Sequence, residues 1–378
     1  MGIESAADIS APLESQDILL PIYGRAKTKF VAWRAIQATG ALKELPYLSF
    51  EKNLGGGASF AVGQYRDLNT PGNPTLVAVK TAKVSGSSDR DLDPILREIQ
   101  ILHFKPLKEH RNIVTVLGMD WALGPNGAPT PRLVVEFAQH GTLTDFLRAS
   151  SLGLPARAFI RICLDIASGL DVVHRCGLIH GDLKLANLLV FKDDSGRLVV
   201  KISDFGAALS VSEPGGKQKY RGTIAYQAPE LTDDSATLSP QDHRQCDMYS
   251  YGLCVWEILK RGHPYFDDLS RNGQRQRPTN NLVEAVRVVN AFKRFLYQLG
   301  VTQSSILVPD PISVDNTNDD LTRHEIAEAA KIQLTAMYDD LVTRCLSGIP
   351  WERYDTTSVV NILQEYVLPR YGLFDVFL

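Results

Sequence analysis

Two short segments carry side chains whose types and spacing suit the transfer of a phosphoryl group. One is His180-Gly181-Asp182-Leu183-Lys184-Leu185-Ala186-Asn187-Leu188-Leu189-Val190, and the other is Lys201-Ile202-Ser203-Asp204-Phe205-Gly206. Phosphoryl transfer asks little covalent chemistry of a protein. It needs a carboxylate to orient the attacking hydroxyl, and hard oxygen ligands for Mg²⁺. Asp182 suits the first task, and Asp204 with the amide oxygen of Asn187 suits the second. A lone charged side chain is usually just solvated, so the weight rests on the whole set occurring in order.

Upstream lies Leu54-Gly55-Gly56-Gly57-Ala58-Ser59-Phe60-Ala61-Val62. Glycines let backbone N–H groups approach nucleotide phosphates with no side chain between. Three adjacent glycines are by themselves more often a turn, and no Gly-Lys-Ser/Thr follows to make a P-loop. The next cue changes the balance. Val77-Ala78-Val79-Lys80 puts a lysine at the end of an apolar strand, where its ammonium can reach α- and β-phosphates. Glu98 falls on the next expected helix and would hold that ammonium in place by an ion pair.

These groups need elements to carry them. Leu76 to Val79, Ile113 to Leu117 and Leu133 to Val135 read as strands, apolar runs bounded by Gly, Pro and Asn. Asp93 to Leu102 reads as a helix, with Ile95, Ile99 and Leu102 on one stripe and Pro94 in its first turn. Beyond Gly141 the spacing turns helical, through Phe159 to Val173 and again through Met248 to Leu259. A short helix is expected between Thr28 and Leu42, and another at Leu282 to Leu299 between a polar, basic stretch at 270–278 and a polar, acidic one at 315–320. No internal repeat is visible.

With 378 residues, 44% of them apolar, the chain can bury a full core in one large domain or two lobes. A net charge of -3 argues against a protein that coats nucleic-acid phosphates. No window approaches the ~18 apolar residues of a membrane span, and the N-terminus has no secretory pattern. The start Met1-Gly2-Ile3-Glu4-Ser5-Ala6 only half fits a myristoylation signal, because Ala6 stands where Ser or Thr is usual. The five cysteines are scattered, with none at metal-ligand spacing, as in reduced, buried thiols of an intracellular, cytoplasmic protein.

From Leu48 to about Tyr366 the sequence resembles the eukaryotic protein kinase family. The resemblance implies an α+β, bilobal fold: a small antiparallel-sheet N-lobe over 46–138 ending in a hinge, and a mostly helical C-lobe over 139–370. Residues 1–45 would then be an extension, 267–320 an insertion or loop region, and 371–378 a tail. Lys80 and Glu98 are similar to the family's strand-lysine and helix-glutamate pair. Asp182 resembles the catalytic-loop aspartate, Lys184 the lysine that contacts the γ-phosphate, and Asn187 and Asp204 the metal ligands. Leu54, Gly55 and Gly57 would lie along the nucleotide, and Val62, Ala78 and Leu189 would sandwich its adenine. Leu133-Val134-Val135-Glu136-Phe137-Ala138 resembles the hinge, so the backbones of Glu136 and Ala138 are expected to bond the base, with Val135 as gatekeeper. Ala228-Pro229-Glu230 resembles the end of the activation segment, with Arg353 the expected partner of that glutamate. Asp247-Met248-Tyr249-Ser250-Tyr251-Gly252 resembles the start of the large lobe's central helix.

Lys184, Ala186 and Gly222-Thr223-Ile224-Ala225-Tyr226 fit the Ser/Thr pattern, in which the threonine bridges the catalytic Asp and Lys. Ala167 to His174 and the Gly141-Thr142-Leu143 turn resemble the tyrosine-kinase-like branch of the Ser/Thr kinases. ATP, Mg²⁺ and protein substrates are the implied partners, and a regulatory partner is left open.

Two departures stand out. Phe60 occupies the third glycine position of the Gly-rich loop, with Ser59 where an aromatic is usual. Gly181 replaces the arginine of the family's His-Arg-Asp, which removes the guanidinium that would pair with a phosphate on Ser210, Ser212 or Tyr220. Activity independent of activation-loop phosphorylation is therefore expected. His-Gly-Asp also occurs in small-molecule phosphotransferases, but those lack the Ala-Pro-Glu and Asp-Met-Tyr-Ser-Tyr-Gly segments. A pseudokinase scaffold is the other rival; it would typically have lost one of Lys80, Asp182 or Asp204, all present here.

Overall fold

Alternation and β-branching build the first half of the domain. In the computed structural model, β1 (Leu48–Gly56), β2 (Phe60–Asp67), β3 (Thr75–Ala82), β4 (Val116–Leu123) and β5 (Pro129–Glu136) form one antiparallel sheet in the order β1-β2-β3-β5-β4. The structure describes residues 43–57, 60–70, 72–83, 93–123, 129–150, 156–211, 220, 222–232, 240–269, 288, 291–292 and 335–367. The chain divides after Leu42 into two compact units, and every described residue belongs to the second.

β3 is the central strand, and Val77, Ala78, Val79 and Lys80 are all buried on it. Its register is fixed on both sides: Lys80 lies opposite Val62 of β2 and Leu133 of β5, and Ala78 opposite Val135. A one-residue slip would turn every side chain of β3 to the other face, so packing pins Lys80 where it is. Leu45, Val77, Val79 and Val134 form a core cluster on the sheet. The segment before β1 joins the sheet too, with the Leu45 N–H donating to Met119 O at 2.8 Å.

The strand expected at Ile113 to Leu117 begins later, at Val116. Ile113 and Val114 instead meet the second lobe, Ile113 bridging to Ile202 and the Val114 N–H donating to Ile202 O at 3.0 Å. An apolar run thus serves as a buried join rather than as a strand. Helix α1 (Asp93–His103) lies where its spacing predicts, and Ile95, Ile99 and Leu102 are all fully buried.

The second lobe is mostly helical: α2 (Leu143–Ala149), α3 (Ala156–Arg175), α4 (Pro240–Leu259), α5 over 335–345 and α6 (Thr356–Val367). Thr142 caps α2, its hydroxyl accepting from the Asp145 N–H. α4 starts well before Met248, where its apolar pattern begins, because Gln245 and Asp247 are buried polar residues that break the stripe. Small ribbons carry the loops of interest: β6 (Leu178–Ile179) pairs β9 (Leu209–Ser210), and β7 (Leu188–Lys192) pairs β8 (Leu198–Ile202). The bilobal α+β architecture is the expected one.

The helix expected between Thr28 and Leu42 lies outside the described residues. Of the one expected at Leu282 to Leu299, residues 288, 291 and 292 are described; all three are helical and buried. No helix among the described residues is long and apolar enough to cross a membrane.

Candidate active site

The sheet and α1 bring three charges together. Lys80 Nζ donates to Glu98 Oε2 at 2.6 Å and to Asp204 Oδ1 at 2.7 Å, although these residues come from β3, α1 and the loop after β8. Lys80 is 9% exposed and Glu98 2%. Burial alone would pull the Lys80 ammonium down, but the carboxylates of Glu98 and Asp204 outweigh it and hold its pKa above the ordinary value. For Asp204, burial pushes the carboxyl up, and Lys80 more than offsets this, so the group stays ionised, below the usual range.

Asp204 sits in the left-handed region at φ 67°, a conformation that costs a non-glycine residue roughly 1–3 kcal/mol. Fully buried Phe205 anchors the turn, with its ring edge-on to His180 at 5.1 Å. Phe60 closes the site from above. Its ring centre is 4.2 Å from Lys80 Nζ, and a Cβ placed on Gly206 would lie 3.5 Å from its Cε2. The side chain at the third glycine position therefore points inward, spanning from β2 to the Asp204-Phe205-Gly206 turn. Ser59 lies outside the described residues.

The second cluster surrounds Asp182. Lys184 Nζ donates to Asp182 Oδ2 (2.6 Å) and to Thr223 Oγ1 (2.7 Å), and the Thr223 N–H donates to Asp182 Oδ1 (2.7 Å). Asn187 Nδ2 donates to the Asp182 carbonyl (2.7 Å) and to its Oδ2 (3.2 Å). That use of the amide nitrogen leaves Asn187 Oδ1 as an oxygen donor. A carboxylate fixed by an ammonium, a backbone N–H and an amide can orient a hydroxyl brought beside it.

Asp182 is in turn held from below. The N–H groups of His180 and Gly181 donate to Asp247 Oδ2 (2.7 Å) and Oδ1 (3.0 Å), and His174 Nε2 lies 2.9 Å from Oδ2. Asp247 is fully buried, which would favour its neutral form, yet the His174 bond and charge hold its pKa below the usual range. Gly181 adopts φ 78°, and a Cβ there would lie 2.7 Å from Ala207 O.

Gly55 and Val62 are register partners on β1 and β2, with exposed Leu54 beside them, and Gly57 O accepts from Lys83 Nζ at 2.8 Å. Val62, Ala78 and Leu189 sit on β2, β3 and β7. At the end of β5 the Glu136 N–H is spent on Thr115 O (3.0 Å), so any bond to a base falls to its carbonyl. The Ala138 carbonyl accepts from the Gly141 N–H (3.1 Å), so any bond to a base falls to its N–H. Acceptor followed by donor is the pattern an adenine edge can pair with.

Several participants carry no obvious sequence signature. Lys201 Nζ bonds both oxygens of Glu136 (2.7 and 2.8 Å), tying β8 to the end of β5. A Cβ on Gly56 would fall 2.2 Å from Phe60 O, so the middle glycine is the one closing the hairpin. By contrast, Glu230 and Arg353 are the pair the sequence led one to expect, and they meet in two prongs at 2.6 and 2.8 Å. Among the described residues no cluster of three His, Cys, Asp or Glu side chains could hold a metal. A carboxylate and one amide oxygen suit Mg²⁺ nonetheless, since that ion is commonly held by one or two carboxylates together with substrate phosphates.

The family model described as "Protein kinase domain" matches residues 48–364. The chain belongs to the protein kinase domain family. Within this kinase domain the first cluster joins the two lobes, Lys80 and Glu98 meeting Asp204, and Lys184 of the second cluster lies near enough for its charge to act on Asp204. Its sequence is 31% identical over 189 residues to serine/threonine-protein kinase STY17 of Arabidopsis thaliana, covering 50% of this chain and 30% of that one. It is 34% identical over 172 residues to mitogen-activated protein kinase kinase kinase 12 of Rattus norvegicus, covering 46% of this chain and 18% of that one. Against human mitogen-activated protein kinase kinase kinase 13 the figures are 34% over 170 residues, 45% and 16%. The chain thus spans less than a third of the length of each of these curated relatives.

Proposed function

We propose that this kinase domain transfers the γ-phosphoryl group of ATP to serine and threonine hydroxyls of proteins. The observation that carries the reading is the Asp182 carboxylate, fixed by Lys184 and the Thr223 N–H, beside a Lys80–Glu98–Asp204 triad whose Asp204 also feels the Lys184 charge. Lys80, held by Glu98, steers the α- and β-phosphates, and Asp182 orients the substrate hydroxyl and receives its proton. Lys184 lies beside the transferred group, with Thr223 spacing it from Asp182. Mg²⁺, held by Asp204 and Asn187, would supply neutralising charge at the phosphates. Leu54, Gly55, Gly57, Val62, Ala78 and Leu189 enclose the nucleotide, and Glu136 and Ala138 read its base.

The Ser/Thr reading is supported by the names of the relatives and by Lys184 and Thr223 at the substrate carboxylate. Independence from activation-loop phosphorylation follows from Gly181, which offers no guanidinium to a phosphate. The lobes divide at 138/139, and a cytoplasmic setting accords with the free, mostly buried thiols.

Transfer of ³²P from labelled ATP to a generic protein such as casein, followed by phosphoamino-acid analysis, tests the proposal. Label on serine or threonine is expected, reduced about 10²–10⁴-fold in Asp182→Ala with ATP binding unchanged. A variant keeping roughly a third of the activity would overturn the role of Asp182. Protein left unlabelled, with label on a small molecule or nowhere, would overturn the protein-kinase reading.

A further inference from the structure

Three residues of the activation segment, Tyr220, Gly222 and Thr223, meet either the catalytic loop or the Asp247 carboxylate that anchors it. Tyr220 OH donates to Asp247 Oδ1 at 3.3 Å. That oxygen also accepts the Gly181 N–H, and its partner Oδ2 accepts the His180 N–H. Two residues on, a Cβ at Gly222 would fall 2.2 Å from Gly181 O and 3.0 Å from Tyr220 Cε1, so only glycine permits this approach. The next residue, Thr223, donates its N–H to Asp182 Oδ1.

Asp247 is therefore a shared anchor. Its carboxylate fixes the backbone leading into Asp182 and, through the Tyr220 phenol, the segment leading into Thr223. The phenol suits the place because it is neutral: burial and the Asp247 charge push its pKa far upward, so it remains a donor. A phosphate on the same oxygen would face a buried carboxylate and be repelled.

We propose that Tyr220 is a positioning residue for Asp182, docking the activation segment on Asp247 by a neutral O–H bond where other kinases would use a phosphate on arginine. The inference rests on the phosphoryl-transfer reading and adds its control: the segment is held by its own unmodified tyrosine, and phosphorylation of Tyr220 releases it.

Tyr220→Phe removes one oxygen and keeps the ring. Its kcat should fall roughly tenfold while KM for ATP stays unchanged, because a hydrogen bond to a charged group is lost far from the nucleotide's ligands. Hydrogen exchange supplies a readout that needs no activity. The amide of Thr223 should exchange roughly tenfold faster in the variant, with α3 and α4 unchanged. Thr223 exchanging as in the wild type would overturn the proposal, as would acceleration spread evenly over the domain or a rise in KM for ATP at constant kcat. If the wild type labels no protein at all, the kinase reading fails while local acceleration at Thr223 still supports the docking.

Discussion

Glu98→Gln isolates one charge with almost no change of shape. Lys80 has two carboxylate partners, at 2.6 Å in Glu98 and 2.7 Å in Asp204, and Glu98 is nearly inaccessible to water. Glutamine can still accept a hydrogen bond from the ammonium, so what is lost is the difference between a charged and a neutral acceptor. That difference is about 1–2 kcal/mol, or about 5–30-fold in an equilibrium or rate. The loss should appear in kcat/KM for ATP, because Lys80 left with Asp204 alone shifts toward it and away from the phosphates. Asp204, bonded more tightly to Lys80, should also need more Mg²⁺ for half-maximal activity. The assay is steady-state phosphoryl transfer with ATP varied at several fixed Mg²⁺ concentrations, beside thermal unfolding to check that α1 stays in place. A kcat/KM within about twofold of wild type in a folded protein would refute the claim that Glu98 holds Lys80 for catalysis.

Other substitutions probe the remaining contacts. Phe60→Gly removes a ring lying over the Lys80 ammonium, a contact of about 1 kcal/mol that ATP must displace, so KM for ATP should fall about fivefold; a rise would show that the ring supports the nucleotide instead. Arg353→Ala removes a buried guanidinium and leaves half-buried Glu230 without it, which should cost about 3–5 kcal/mol in denaturant unfolding, against well under ~1 kcal/mol if the pair were a mere surface contact. Burial pushes the Glu257 carboxyl up from 4.5 to about 7, despite the bonds it accepts from Tyr226 and Tyr265. The folded state then holds a proton that the unfolded state has lost, so stability falls as pH rises across that window, by up to roughly 3 kcal/mol. Glu257→Gln should flatten that part of the pH–stability curve, and an unchanged slope would place the titrating group elsewhere.

Short-range spacing made much of the fold legible. The stripe of Ile95, Ile99 and Leu102 placed α1, and the apolar run before Lys80 placed β3, because both patterns record burial directly. What failed was any reading in which burial and polarity part company. Ile113 and Val114 looked like strand but join the lobes, and the apolar spacing that begins at Met248 gave no sign that α4 runs back through buried Gln245 and beyond. Polar residues of that kind are invisible to periodicity, since the partners that make their burial tolerable come from distant segments. Asp247 is satisfied by His174, His180 and Gly181, and Glu136 by Lys201.

Gly181 shows how a reading from residue type can be right about an absence and silent about a presence. In the sequence it is a missing arginine, and the loss of a guanidinium is all that can be inferred. In the structure it is a left-handed residue whose Cβ would strike Ala207 O, and whose own carbonyl lies against Gly222. The two glycines let the activation segment and the catalytic loop meet backbone to backbone, at a separation no side chain would tolerate. An arginine at 181 would have to shift one of those backbones before it could reach any phosphate. The glycine thus removes a phosphate receptor and, by the same geometry, permits the close approach of Gly222 on which the proposed docking by Tyr220 depends.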